Sequence, residues 1–475
     1  MRITRDSILW PAAAAVLFTL AVLLFTPLRL SLLWDEAVYA SQIAQHSPKL
    51  LWSAERYRGM PLLVAPVTLV TGSVLVLRVY LTVLGGVALF LALLAWRGLR
   101  PGWVLGLAGL IFGGLWAAET WASELYPNMW VALAALAAVG LFLQAARDTP
   151  RRKWILVALA ATVAFAALMR LPDTALVCVP LVIGALAVRQ WRSLATLAAL
   201  LTGLVIGAGD WLIESYRYFD GPIARLQQTS HDSGGSHFSP LLSLRILSGG
   251  RASSSSIFPG ISSYSHPVLL LWWAAFLALA IIGVIASRRQ AGWPAALLPV
   301  ICAVLIYGLY TFPVRDNPRY LLTAWALLAI PVADGAAWLM TGLRSSELRL
   351  AAGTLVAAFL AIELVTQHAI LNGEVKQTKA TSRITVRASR ALDTMGVRAP
   401  CLITTPGRPA FAPSSEPTAF RLNCAYKYNL KGLPSAKGMR VVLFTTGLRR
   451  LPRYARTWTP HRLPVSGNVV AYIQP

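Results

Sequence analysis

The sequence predicts an all-α polytopic membrane bundle of about eleven transmembrane helices, followed by a small C-terminal α/β domain. Three observations predict it. Apolar runs of roughly 17–25 residues, the length a helix needs to cross a bilayer, recur along most of the chain. Hydrophobic residues make up 56% of the 475, and charged residues only 13%. After about residue 370 the pattern stops, and short β-branched runs replace it. Backbone groups in lipid must bond internally, so the runs read as helices. The alternation of an outer-membrane barrel is absent.

The expected spans are residues 8–30, 73–96, 103–121, 127–146, 154–170, 172–188, 195–213, 267–286, 293–312, 320–340 and 350–368. An apolar segment at 61–70 is too short to cross alone. The first run follows Arg2 and Arg5 and has no small-residue cleavage site before Asp35, so it reads as an uncleaved signal anchor. Alternate loops carry the Lys/Arg excess: Arg97 and Arg100, Arg147 to Lys153, Arg189 and Arg192, Arg288 and Arg289, Arg344 and Arg349. These loops and the N-terminus are expected in the cytoplasm of a multi-pass plasma-membrane protein. Loops 31–60, 121–126, 170–173, 214–266 and 313–319 then face outward. Acids gather on that face: Asp35, Glu36, Glu55, Glu119, Glu124, Asp173, Glu214 and Asp316 among them.

The bundle is expected to occupy 1–370 and the extracytoplasmic α/β domain 371–475. In the latter, SRITVRASRALDTMG reads as an amphipathic helix closed by Gly396, and PCLITT, RVVLFTTG and NVVAYIQ as short strands. From Gly373 to Pro475 there are 17 Lys or Arg against 3 Asp or Glu. That charge fits solubility and contact with anionic membrane lipids, or attraction of an anionic carrier. Cys401 and Cys424 lie in this domain; spacing alone does not fix their Cα separation, so their pairing is left open. Cys178 and Cys302 lie in apolar runs and read as packing residues.

The net charge of +24 does not point to nucleic acid as a partner, because topology-setting loops account for much of it and no nucleic-acid module is present. His231 and His237 flank a flexible DSGGS and lack a third ligand, so no metal site is read there.

The stretch SLLWDEAVYA carries the chemistry. Asp35 and Glu36 follow directly on the first apolar run. Arg56 and Arg58 lie on the return to the bilayer, Arg78 in the upper part of the next span, and Arg315, Asp316, Arg319 and Tyr320 in VRDNPRYLL. A carboxylate accepts a proton from a hydroxyl nucleophile, and arginines clamp a phosphate as it leaves. Each residue also has a plainer reading. Acids cap helix ends, Arg78 can snorkel, and Tyr39, Tyr320, Arg315 and Arg319 can anchor at the interface. Arg170 and Asp173 read as a turn with a local ion pair.

This layout resembles the GT-C superfamily of membrane glycosyltransferases, particularly the branch with the protein O-mannosyltransferases and the lipid A aminoarabinose transferase. The resemblance rests on Asp35, Glu36 and Tyr39, then GMPLLVAP, Gly72 and LRVY with Arg78, then PRYLLTAW. It covers most of residues 1–370. The chain has Gly-Met-Pro-Leu where the family often has His-Pro-Pro-Leu, and Asn128 in YPNMW where an Asp often stands. The resemblance implies a GT-C-like bundle that moves a sugar, with inversion, from a polyprenyl-phosphate donor to an extracytoplasmic glycan, lipid or protein acceptor. Asp35 would be the base, and Glu36 would orient it or contact the acceptor. Arg58, Arg78, Arg315 and Arg319 would bind the carrier phosphate. Tyr39, Glu119, Glu124 and Tyr320 would line the substrate site. No metal or other cofactor is required, although Glu36, Glu119 or Glu124 could offer oxygen ligands to a divalent cation.

Two rivals stand beside the enzyme. A flippase of lipid-linked glycans predicts broken helices and midplane charge, often in repeated halves. A non-catalytic glycan-binding protein would use the basic domain but gives no reason for the acid pair.

Overall fold

The computed structural model describes residues 6–45, 47–147, 150–232, 267–311, 318–406, 412–428, 430, 439–446, 451–465 and 469–475. Arg315, Asp316 and His237 fall outside them.

Helix α1 (Asp6–Phe25) is membrane-length, whereas α2 (Trp34–Ser41) and α3 (Gly59–Thr68) are short. Helix α4 (Val74–Leu94) is again membrane-length, and α5 (Gly102–Gly113) with α6 (Trp116–Ala122) forms a pair bent by 80°. Next come α7 (Pro127–Ala145), α8 (Arg152–Met169), α9 (Leu171–Ala187) and α10 (Leu194–Tyr218), then the short α11 (Pro222–Asp232). Helix α12 (Pro267–Thr311) is two spans joined at Gly292, whose φ of 78° breaks the helix. The bundle ends with α13 (Leu322–Thr341) and α14 (Ser346–Thr394). Among the described residues nine helices are long and apolar enough to cross a membrane, or ten counting the bent pair. The 17-residue α9 is the eleventh expected segment.

Helices α7 and α13 form the buried middle. Helices α12 and α13 touch backbone to backbone: a Cβ at Gly283 would strike the Pro331 carbonyl, and one at Gly335 the Leu279 carbonyl. Only glycine allows that approach. Three of the basic loops meet at one end. Arg147 donates to the Gly98 carbonyl, Arg152 to Ser193, and Arg100 to both Asp334 oxygens at 2.7 Å. Helix α2, loop 51–58, Tyr126, Arg170 and Arg319 meet at the other end.

Helix α14 runs unbroken through residue 370, so SRITVRASRALDTMG is its last part rather than a separate helix. The sequence changes polarity there, but polarity does not end a helix. Gly373, a weak breaker, costs only about 1 kcal/mol. At about 1.5 Å per residue, α14 is long enough to cross a bilayer and still reach the C-terminal domain.

That domain is a mixed five-stranded sheet of order β2-β1-β3-β5-β4. Strands β1 (Cys401–Thr405), β3 (Arg440–Thr446) and β5 (Val469–Ile473) fall where apolar runs mark them. Strands β2 (Ala425–Tyr428) and β4 (Thr459–Arg462) carry no such mark; AYKY and TPHR are short and polar. β1 pairs parallel with β2 and β3, while β5 pairs antiparallel with β3 and β4. Helix α15 (Ala412–Leu422) makes the β1–β2 crossover, and a disulfide joins Cys401 to Cys424 across it, with Cα atoms 4.7 Å apart.

Candidate active site

The two acids stand on a helix, where adjacent side chains point about 100° apart. Glu36 turns inward and is fully buried. It accepts hydrogen bonds from Arg78 at 2.9 and 3.0 Å, from the Leu125 N–H at 3.0 Å and from the Leu33 N–H at 2.7 Å. Every donor is protein, and Arg78 itself is 2% exposed. This is an internal lock that fixes α2 to α4 and to the Leu125 turn.

Asp35 turns the other way, into a cavity of about 200 Å³. Its side chain is 27% exposed. Arg56 donates to Oδ1 at 2.8 Å and Arg319 to Oδ2 at 3.4 Å. Burial pushes the carboxyl up, but the two guanidiniums win and hold it below its ordinary value. Asp35 is therefore ionised at neutral pH. Tyr39, one turn on, lines the same cavity; burial and the Asp35 charge push its phenol up, so it stays a hydrogen-bond donor.

The opposite wall is cationic and aromatic. Arg319 lies 4.2 Å over the Tyr126 ring, and Arg170 lies 4.7 Å over Tyr320. Arg170 is also held by Asp173 and by the Tyr310 hydroxyl at 3.0 Å, while Tyr310 donates to Asp173 at 2.6 Å. Stacked and ion-paired arginines keep a fixed fork, the geometry that suits phosphate oxygens. Loop 51–58 is pinned from behind. The fully buried Arg225 donates to the Ala54 and Arg56 carbonyls at 3.0 and 2.8 Å and to Glu214 at 3.2 Å.

Of the residues singled out in the sequence, Asp35, Tyr39, Arg319 and Tyr320 line this cavity. Glu36 and Arg78 bind each other beneath it. Arg58 pairs with Glu214 and lies 4.3 Å over the Trp52 ring. Glu119 faces Glu363 of α14, and Glu124 lies with Arg78 and Glu374 around a separate small cavity. Arg78 and two amides already occupy the Glu36 carboxylate. Among the described residues no three His, Cys, Asp or Glu side chains cluster as ligands. Arg56 and Arg170 also line the cavity; the sequence names Arg56 among the outer-face arginines without a role and makes Arg170 half of a turn ion pair. The signal for Arg170 was a charge between two barely sufficient apolar arms, an expensive place for a merely local ion pair.

No family model and no curated protein sequence matches the chain. Solved structures do. ArnT from Cupriavidus metallidurans in the apo state superposes with a TM-score of 0.62 at 15% identity, over 98% of this chain and 97% of that one. ArnT bound to undecaprenyl phosphate gives 0.59 over the same shares. The Archaeoglobus fulgidus oligosaccharyltransferase in the apo form gives 0.54 at 13% identity, over 89% of this chain and 64% of that one. The chain shares the fold of these solved membrane proteins. With ArnT the likeness takes in the sheet domain as well as the bundle.

Proposed function

We propose that the protein is an integral-membrane glycosyltransferase. It moves a sugar from a polyprenyl-phosphate donor to an extracytoplasmic acceptor, with inversion, and Asp35 is the base. The carrying observation is the division of the acid pair: Glu36 is consumed by Arg78, while Asp35 faces a cavity walled by arginines. ArnT, of the same fold, has been solved with undecaprenyl phosphate bound. In this reading the site end of the bundle faces outward and the basic loops face the cytoplasm.

The acceptor hydroxyl attacks the anomeric carbon as Asp35 takes its proton. The carbon–oxygen bond to phosphate breaks, and the carrier phosphate leaves with the electron pair. Arg319 and Arg170 neutralise the charge that grows on it. Tyr39 and Tyr320 line the space between donor and base. The guanidiniums supply the positive charge the leaving group needs, so no step is assigned to a metal.

The test offers radiolabelled polyprenyl-phosphate sugars and an envelope extract to the purified protein in lipid, wild type beside Asp35→Asn. Transfer that disappears in a folded Asp35→Asn protein supports the reading. Equal transfer by both removes Asp35 as the base.

A further inference from the structure

Helix α15 of the sheet domain packs on α2, the helix that carries Asp35. The contact leaves Glu416 only 4% exposed. Burying a carboxyl is costly unless the group is paired or used. Glu416 Oε2 has no hydrogen-bond partner among the described residues. The Trp34 indole, on the residue before Asp35, is within hydrogen-bonding reach of this carboxyl, and the charges of Arg56 and Asp35 both act on it. Glu416 is also the one acid of the segment after Asp393, where basic residues dominate. Solubility alone gives no reason to bury it against the catalytic helix.

We propose that Glu416 is a positioning residue of the active site, delivered by the C-terminal domain: its carboxyl fixes Trp34 and keeps Asp35 seated on Arg56. The inference rests on the glycosyltransferase reading, in which Asp35 is the base.

The electrostatics agree. Burial pushes the Glu416 carboxyl up to about 8, with Arg56 drawing it down and Asp35 adding to the rise. At pH 7 it is uncharged, and Arg56 is left to Asp35. Once ionised, it competes with Asp35 for that guanidinium. Among the described side chains, the other elements packed on α15 leave it little else to meet. Over this length α14 buries Thr385, Ala388, Ser389 and Leu392, none of which titrates. β1 carries no free titratable group; on β2, Tyr426 bonds Thr405 and Lys427 is exposed.

Two measurements on the full protein in nanodiscs test the proposal. The first is an infrared titration of the carboxylic C=O band, taken as the difference between wild type and Glu416→Gln. The band should titrate near pH 8. In an Asp35→Asn background it should titrate at lower pH, because an anion is gone and Arg56 is released. The second is sugar transfer against pH. Wild-type kcat should fall above about pH 8, and Glu416→Gln should lose that fall. Glu416→Ala, which loses the contact to Trp34, should turn over about tenfold more slowly than Glu416→Gln at pH 7. Equal kcat in the two variants, both keeping the alkaline fall, overturns the proposal; so does a band that Asp35→Asn does not move. Should no donor support transfer, the glycosyltransferase reading fails by itself, and the infrared titration still decides whether Glu416 and Asp35 are coupled.

Discussion

Replacing Glu36 by Gln separates a structural acid from a catalytic one. Four donors converge on the Glu36 carboxylate: two Arg78 nitrogens and the Leu33 and Leu125 amides, all between 2.7 and 3.0 Å. Gln preserves the volume but brings one acceptor oxygen and an NH2 group. That NH2 must face two of the four donors, and the charge opposite Arg78 is gone. Arg78 is 2% exposed and cannot turn to water. Breaking a buried pair by removing one partner costs about 3–5 kcal/mol, and that is the expected loss. The assay is equilibrium unfolding in nanodiscs, with Glu36→Gln, Arg78→Met and the double variant. The double variant should be more stable than the sum of the single losses predicts, by about 1–3 kcal/mol, because it leaves no orphan charge. A Glu36→Gln protein within about 1 kcal/mol of wild type that has nevertheless lost sugar transfer refutes the reasoning. Glu36 would then act on the acceptor, as the resemblance alone implied.

Three further outcomes are expected. Arg225→Met should lose about 3 kcal/mol of stability and lower kcat, since it frees the carbonyls of Ala54 and Arg56 from their buried donor; the same unfolding and transfer assays read both effects. The double change Cys401→Ser, Cys424→Ser opens a link across 23 positions, worth about 3 kcal/mol in chain entropy, and should make the sheet domain the first region cleaved in limited proteolysis. Asp35 must be ionised to act as base and its affinity for protons is depressed, so activity is retained above that lowered value and lost as pH falls through it. That acid limb should lie higher in kcat, which reports the donor complex, than in kcat/KM for the donor, which reports the free enzyme.

The bundle was legible because lipid enforces it. Runs of membrane length and loops of alternating charge leave little choice of fold, and each expected segment holds a helix. The sheet domain was half legible. β1, β3 and β5 are central or buried and read as apolar runs, whereas β2 and β4 are edge strands held by their neighbours' backbones. The site was legible only as a collection. Composition and order placed acids and arginines at one end of the bundle, but not which arginine meets which acid. Arg78 was expected at the phosphate and lies on Glu36. The sequence makes Arg170 a turn residue paired with Asp173; that pair forms, and Arg170 lies on the cavity wall as well. Such pairings depend on the rotation of each helix about its axis, which loop charge does not encode.

In the proposed reaction the arginines are not equivalent. Arg56 is bound to Asp35 at 2.8 Å and to its own loop through Ser53 at 2.8 Å. Arg170 is committed to Asp173 and Tyr310. Arg319 reaches Asp35 at 3.4 Å, near the outer limit of a useful hydrogen bond. Of the two guanidiniums on Asp35 it makes the longer contact, and it also donates to the Tyr320 hydroxyl at 3.3 Å and stacks on Tyr126; we propose that an arriving phosphate, which offers two oxygens to its fork, draws it off Asp35 before Arg56. Once it turns, Asp35 loses one of the two charges that hold its proton affinity down and gains an anion nearby. Both changes strengthen it as a base. Donor binding thus prepares the group that must deprotonate the acceptor, and an empty site holds a weaker base. An order with donor before acceptor follows from the charges alone, without any movement of the bundle.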